Sequence, residues 1–141
     1  MKETPTDNLN TELMSPCPLD TYLQEHSDEF LNMDIAELLD QLYQSKSITK
    51  AELARRASIS EVYLHQVFSG RRKPSRDRLL CLCVGLGVDL DEAQTLLKRA
   101  GYAQMYAKFK RDTIIMYGIV HKFELSEIND KLFAENEKTL L

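Results

Sequence analysis

Cysteine is scarce in this chain, and so are long apolar runs. Cys17, Cys81 and Cys83 are three, an odd number too small for a disulfide framework. Cys81 and Cys83 form a C-x-C pair with no companion His or Cys at metal-binding spacing, and residues two apart on a helix do not face each other. They read as buried thiols of a reducing compartment, with no metal site. The longest apolar stretch, "TIIMYGIV", is interrupted by Gly118 and falls well short of the ~18 consecutive apolar residues that a membrane helix requires. The opening "MKETPTDNLNTELMSP" lacks the basic start and apolar centre of a secretory signal. The expectation is a cytoplasmic protein with no membrane contact. Catalytic signatures are lacking too. His26, His65 and His121 fall on separate elements, and there is no H-E-x-x-H, no P-loop and no G-x-S-x-G. The scattered carboxylates form no argued acid–base pair. The sequence therefore points away from an enzyme and names no cofactor.

What is present is an uneven charge distribution. The net charge of −4 conceals three zones. Residues 1–45 carry one basic and ten acidic side chains, residues 46–78 nine basic and three acidic, and residues 79–141 eight and nine. A partner senses the local field, because charges beyond about 8–10 Å are screened at ordinary salt. The middle zone is a basic island of +6 inside an acidic protein.

Three of the four prolines lie in the first 30 residues, which show no sustained period. This reads as a largely disordered acidic tail over 1–30, with "LDTYLQEHSDEFL" (19–31) either a short helix or a segment docked on the domain. Beyond it the apolar period is helical throughout. Ile35, Leu38, Leu39 and Leu42 predict a helix over about 35–46, with Asp34 and Glu37 spaced as a capping pair. Thr49-x-x-Glu52 opens a helix over about 50–57, and Ser60 caps another over about 61–69, closed by Gly70. Ser75 starts a fourth that ends at Gly87, and Asp89-x-x-Glu92 caps a fifth that stops at Gly101. A sixth carries Ile114, Ile115 and Ile119, and a seventh begins at Ser126 with Leu125, Ile128 and Leu132 on one side. No strand is predicted, so the class is all-α. The expected organisation is a helical domain over 31–101 and a C-terminal helical extension over 102–141.

Two short helices joined by a tight turn, "KAELARRASISEVYLHQVF", have the layout of a helix-turn-helix. Ala54 is the small residue where the pair would cross, and Leu53, Ile59, Leu64 and Val67 would anchor it. That leaves Glu61, Val62, His65 and Gln66 free to enter a major groove. Arg71, Arg72 and Lys73 follow directly. Elsewhere such a run would be a solvated loop; after a recognition helix it lies where the sugar-phosphate backbone passes. Tyr63 and Phe68, at helical spacing beside Leu64 and Val67, read as packing groups.

Through "ITKAELARRASIS", "SGRRKPS" and "LLCLCVGLGVDLDEA" the chain resembles the phage-repressor (Cro-like, XRE) helix-turn-helix family over about residues 35–100. The tail "LLKRAGYAQMYAKFKRDTIIMYGIVHKFELSEINDKL" resembles extensions in bacterial members. The resemblance implies a lambda-repressor-like five-helix domain and a transcriptional regulator that binds double-stranded DNA. It implies that Thr49 and Lys50 lie on a phosphate, that Glu61, Val62 and Gln66 reach base edges, and that Arg71, Arg72 and Lys73 grip the backbone, with Arg76 counted beside them. Family members usually carry Gly where Ser58 stands. A single unit reads few base pairs, so a homodimer through the C-terminal helices is expected. The other expectation is an adaptor that keeps this fold, binds a protein partner and reads no operator.

Overall fold

The computed structural model describes residues 18–25 and 35–141, and every regular element among them is helical. Expectations for the rest of the acidic tail, for Cys17, for His26 and for Asp34 lie outside the described residues. Residues 1–31 and 32–141 are two separate units. Within the first, α1 (Leu19–Glu25) buries Tyr22 and leaves Leu19 and Leu23 exposed.

The second unit contains α2 (Ile35–Gln44), α3 (Lys50–Ala57), α4 (Glu61–Phe68), α5 (Arg76–Leu86), α6 (Leu90–Arg99), α7 (Lys110–Val120) and α8 (Leu125–Ala134). Side-chain oxygens open four of these helices by accepting otherwise orphaned N–H groups. Thr49 accepts from Glu52 N at 3.1 Å, Ser60 from Tyr63 N at 3.0 Å, Ser75 from Arg78 N at 3.2 Å and Asp89 from Glu92 N at 2.7 Å. At Asp89 the box closes, since Asp89 N donates back to Glu92 at 3.0 Å. At Thr49 it stays half made, because the Glu52 carboxylate turns to Arg55 and Arg56 instead. The start expected at Ser126 falls at Leu125, after an N-cap at Glu124 whose N–H donates to Glu127 at 3.2 Å. Glutamate is a rare cap, which hid this boundary.

Leu39, Leu53, Leu64, Leu79, Leu82 and Leu97 are fully buried, each removing apolar surface worth about 1.5–3 kcal/mol from water. The tight approach of α3 to α5 is set by Gly85. A Cβ there would sit 3.0 Å from Leu53 Cδ1 and 3.2 Å from Ala57 Cβ. Ala54 is buried as expected.

The extension is not a separate layer. Ile115, Ile119, Ile128, Leu132 and Leu140 join the same core as the leucines of α5 and α6, while Phe133 of α8 is mostly exposed, at 78%. The boundary expected at Gly101 divides no core. Leu140 also receives the Cys81 thiol at its carbonyl, 3.2 Å away. Burial pushes the Cys81 thiol up to about 11 and Cys83 to about 12, so both are inert thiols.

The helical hairpin α5–α6 recurs as α7–α8 at a spacing of 35 residues, the separation of Gly87 and Lys122. "RDRLLCLCVGLGVDLDEA" (76–93) answers "RDTIIMYGIVHKFELSEI" (111–128). Gly87 and Gly101 have positive φ, and so do their equivalents Lys122 and Asn136. Gln94 accepts Met105 N at 2.8 Å, and its equivalent Asn129 accepts Leu140 N at 2.7 Å. Arg76 Nε donates to Ala103 O at 2.9 Å, and Arg111 Nε to Lys138 O at 2.7 Å. The copies face each other reciprocally. Arg76 pairs with Asp112 at 3.4 Å while Arg111 pairs with Asp77 at 3.1 Å, the exchange characteristic of a two-fold contact. α5 touches α8 as α6 touches α7.

Candidate nucleic-acid interface

The turn between α3 and α4 aims the second helix outward. Ser58 takes φ 53° and ψ 42°, the left-handed conformation for which glycine is suited, and Ile59 N closes the turn on Ala54 O at 3.0 Å. Leu64 and Val67 then face the core, so the 3.6-residue period turns Glu61, Val62 and His65 to solvent and leaves Gln66 half-buried at the edge of the same face. Val62 is 68% exposed, an aliphatic side chain with no intramolecular cover.

The basic loop continues that face. Gly70 (φ 79°) reverses the chain, and the N–H groups of Arg71 and Arg72 both donate to Gln66 O, at 2.9 and 3.1 Å. Arg71, Arg72 and Lys73 are all exposed. Aromatic rings receive the charged ends. The Tyr63 ring receives the Arg72 guanidinium at 5.4 Å and that of Arg78 at 5.2 Å, and Lys73 lies 4.7 Å over Tyr102. The Tyr102 hydroxyl donates to Pro74 O at 2.6 Å, bracing the loop from the segment after α6. Lys50 stands over Tyr43 and Phe68 at 5.7 and 5.1 Å, beside the end of α4, and the exposed Thr49 hydroxyl caps α3 next to it.

Two groups of the basic island are already taken. Glu52 is bound by Arg55, and by Arg56 at 3.1 Å, and these hydrogen bonds hold its carboxyl down at about 2. Arg55 and Arg56 thus share one carboxylate, which offsets one of their two charges. Arg76, expected on a phosphate, is 24% exposed and is held by Ala103 O and Asp112. It joins the two hairpins instead. Sequence reasoning passed over Arg78 and Tyr102, whose parts depend on Tyr63 and Pro74 coming within reach. The spacing of Tyr63 and Arg78 gives no local signal of that.

Among the described residues no group of His, Cys, Asp and Glu is placed to hold a metal ion, and no helix is long and apolar enough to cross a membrane.

Two short capped helices with a left-handed turn, the second presenting a bare outer face, define a helix-turn-helix unit, the architecture of DNA-binding regulators. The family described as Helix-turn-helix domain matches residues 34–96, so this segment of the chain is a helix-turn-helix domain, in line with the phage-repressor-like resemblance. The match runs from α2 into α6, ends at residue 96 and does not reach the extension. No curated protein and no solved structure matches the chain.

Proposed function

We propose that the protein is a cytoplasmic transcriptional regulator of the phage-repressor type that binds double-stranded DNA with α4 in the major groove. Glu61, Val62, His65 and Gln66 meet base edges: Gln66 suits adenine, Glu61 the amino group of cytosine, and Val62 a thymine methyl. Thr49, Lys50, Arg71, Arg72 and Lys73 lie against phosphates. Arg78, which shares the Tyr63 ring with Arg72, joins them, and Arg76 is left out because Asp112 occupies it. One observation carries this reading: the exposed face of α4 leads into three exposed basic residues, and the N–H groups of the first two, Arg71 and Arg72, are pinned to Gln66.

Two copies on half-sites about one helical turn apart would give the reading length that one unit lacks. A contact through the C-terminal helices would use what they leave exposed, such as Phe109 and Phe133. The other reading, an adaptor without operator binding, is favoured by Glu61, an exposed carboxylate where phosphates also pass.

The test is a DNA titration at several salt concentrations. Replacing Arg71, Arg72 and Lys73 together with Ala is expected to flatten the slope of log K against log [salt] by about 2 to 3. An unchanged slope in a folded triple variant rejects the phosphate assignment, and no salt-dependent binding by the parent leaves the adaptor.

A further inference from the structure

The two hairpins are built alike but covered differently. On the first, α2 lies over α6, with Leu38 and Leu42 meeting Glu92, Thr95 and Leu96 around one small cleft, and Lys46 closing it from 3.9 Å on Glu92. On the second, the equivalent positions Glu127, Asp130 and Lys131 line an open groove of ≈ 670 Å³ between α7 and α8. Its floor is apolar, made by Ile114, Tyr117, Phe123 and Ile128. Tyr117 is 56% exposed, whereas its equivalent Leu82 is fully buried under the neighbouring helices. The second hairpin thus carries a helix-docking face on which none of the described helices of its own unit lies.

We propose that this groove docks an amphipathic helix of a partner protein, one with two leucines four residues apart and a basic residue four further on. The leucine spacing is that of Leu38 and Leu42, and the basic residue takes the place of Lys46, because Glu127 stands where Glu92 does. The helix lies across α8 as α2 lies across α6. Charge selects the occupant. Glu135 holds Lys110 at 2.9 Å and Lys131 at 3.5 Å, so the mouth sets two carboxylates, Glu127 and Asp130, against one lysine, Lys131, and is acidic. A basic helix satisfies them, while a second copy placed face to face would set the same two acids against each other. The groove lies outside the helix-turn-helix match, so the inference stands apart from the DNA reading.

The probe is a dye-labelled, helix-stabilised peptide of residues 34–47 carrying Asp40→Lys, titrated by anisotropy into the full chain. Saturable binding is expected, at least tenfold weaker for a peptide with Leu38 and Leu42 replaced by Ala, and several-fold weaker with Lys46→Glu. In the protein, Tyr117→Asp and Ala134→Arg, both at exposed positions, should each weaken binding at least tenfold while the sedimentation mass and the salt-dependent DNA binding stay as in the parent. Absence of saturable binding overturns the proposal, as does binding that neither variant weakens. A change of mass in either variant overturns it too, because the groove would then be a contact between copies.

Discussion

Gly118 sits where α7 crosses α8, and a methyl group there tests the second hairpin directly. A Cβ at Gly118 would lie 2.4 Å from Ile128 Cγ1 and 2.6 Å from Ile128 Cδ1, far inside ordinary contact. Ile128 is 1% exposed, so the helices must part or Ile128 must leave its rotamer toward the groove it floors. Overpacking of this kind costs about 1–3 kcal/mol. Against it stands the helix propensity of Ala over Gly, about 1 kcal/mol. Because the overlap exceeds an ångström at two atoms, the clash should prevail and leave Gly118→Ala less stable by about 1–2 kcal/mol. Urea unfolding followed by circular dichroism reads this as a lower midpoint at unchanged m. The cause is isolated by a double-mutant cycle. Ile128→Ala alone should cost about 2–5 kcal/mol, while the double variant should cost less than the sum of the singles by about 2–3 kcal/mol, because the clash is gone and the propensity gain remains. A Gly118→Ala protein as stable as the parent would refute the packing argument, and so would strict additivity.

Three further outcomes are expected. Gln66→Ala should weaken binding to the preferred DNA site by about 1–3 kcal/mol and leave random DNA nearly unaffected, whereas equal losses on both would make Gln66 structural. Ser58→Gly should stabilise the fold by up to about 1 kcal/mol, the relief of left-handed strain exceeding the extra chain entropy of glycine, and a fall in the urea midpoint would contradict the turn geometry. Truncation after Gly101 should remove cooperative unfolding altogether, since it strips Ile115, Ile119, Leu132 and Leu140 from the shared core; a fragment melting within a few degrees of the parent would show that α2–α6 suffice.

The helix-turn-helix half of the fold was legible because its signals are local. Thr49, Ser60, Ser75 and Asp89 each cap within three residues of themselves, and the apolar period of α2 to α6 names its own buried face. The outward face of α4 followed by elimination once Leu64 and Val67 were assigned inward. Arg76 was misleading for the opposite reason. Its partner Asp112 lies 36 residues away, and nothing near Arg76 distinguishes it from the free arginines beside it. The extension read as a segment apart from the domain, because its likeness to α5–α6 is masked where it matters for recognition. Gly87 has become Lys122 and Gly101 has become Asn136, although the backbone kept its positive φ at both places. The Arg-Asp pair at 76–77 and 111–112 was the available sign of the repeat.

The carbonyl of Gln66 receives both Arg71 N and Arg72 N, and Pro74, Tyr102 and Tyr63 steady the rest of the loop. Its backbone is therefore set before any phosphate arrives, and only side-chain rotamers remain to be restricted, at about 0.5–1.5 kcal/mol each. Capture of an anionic surface by such a loop needs no folding step after encounter, so its rate is set by diffusion and electrostatic attraction, and discrimination between surfaces falls to how long each is held.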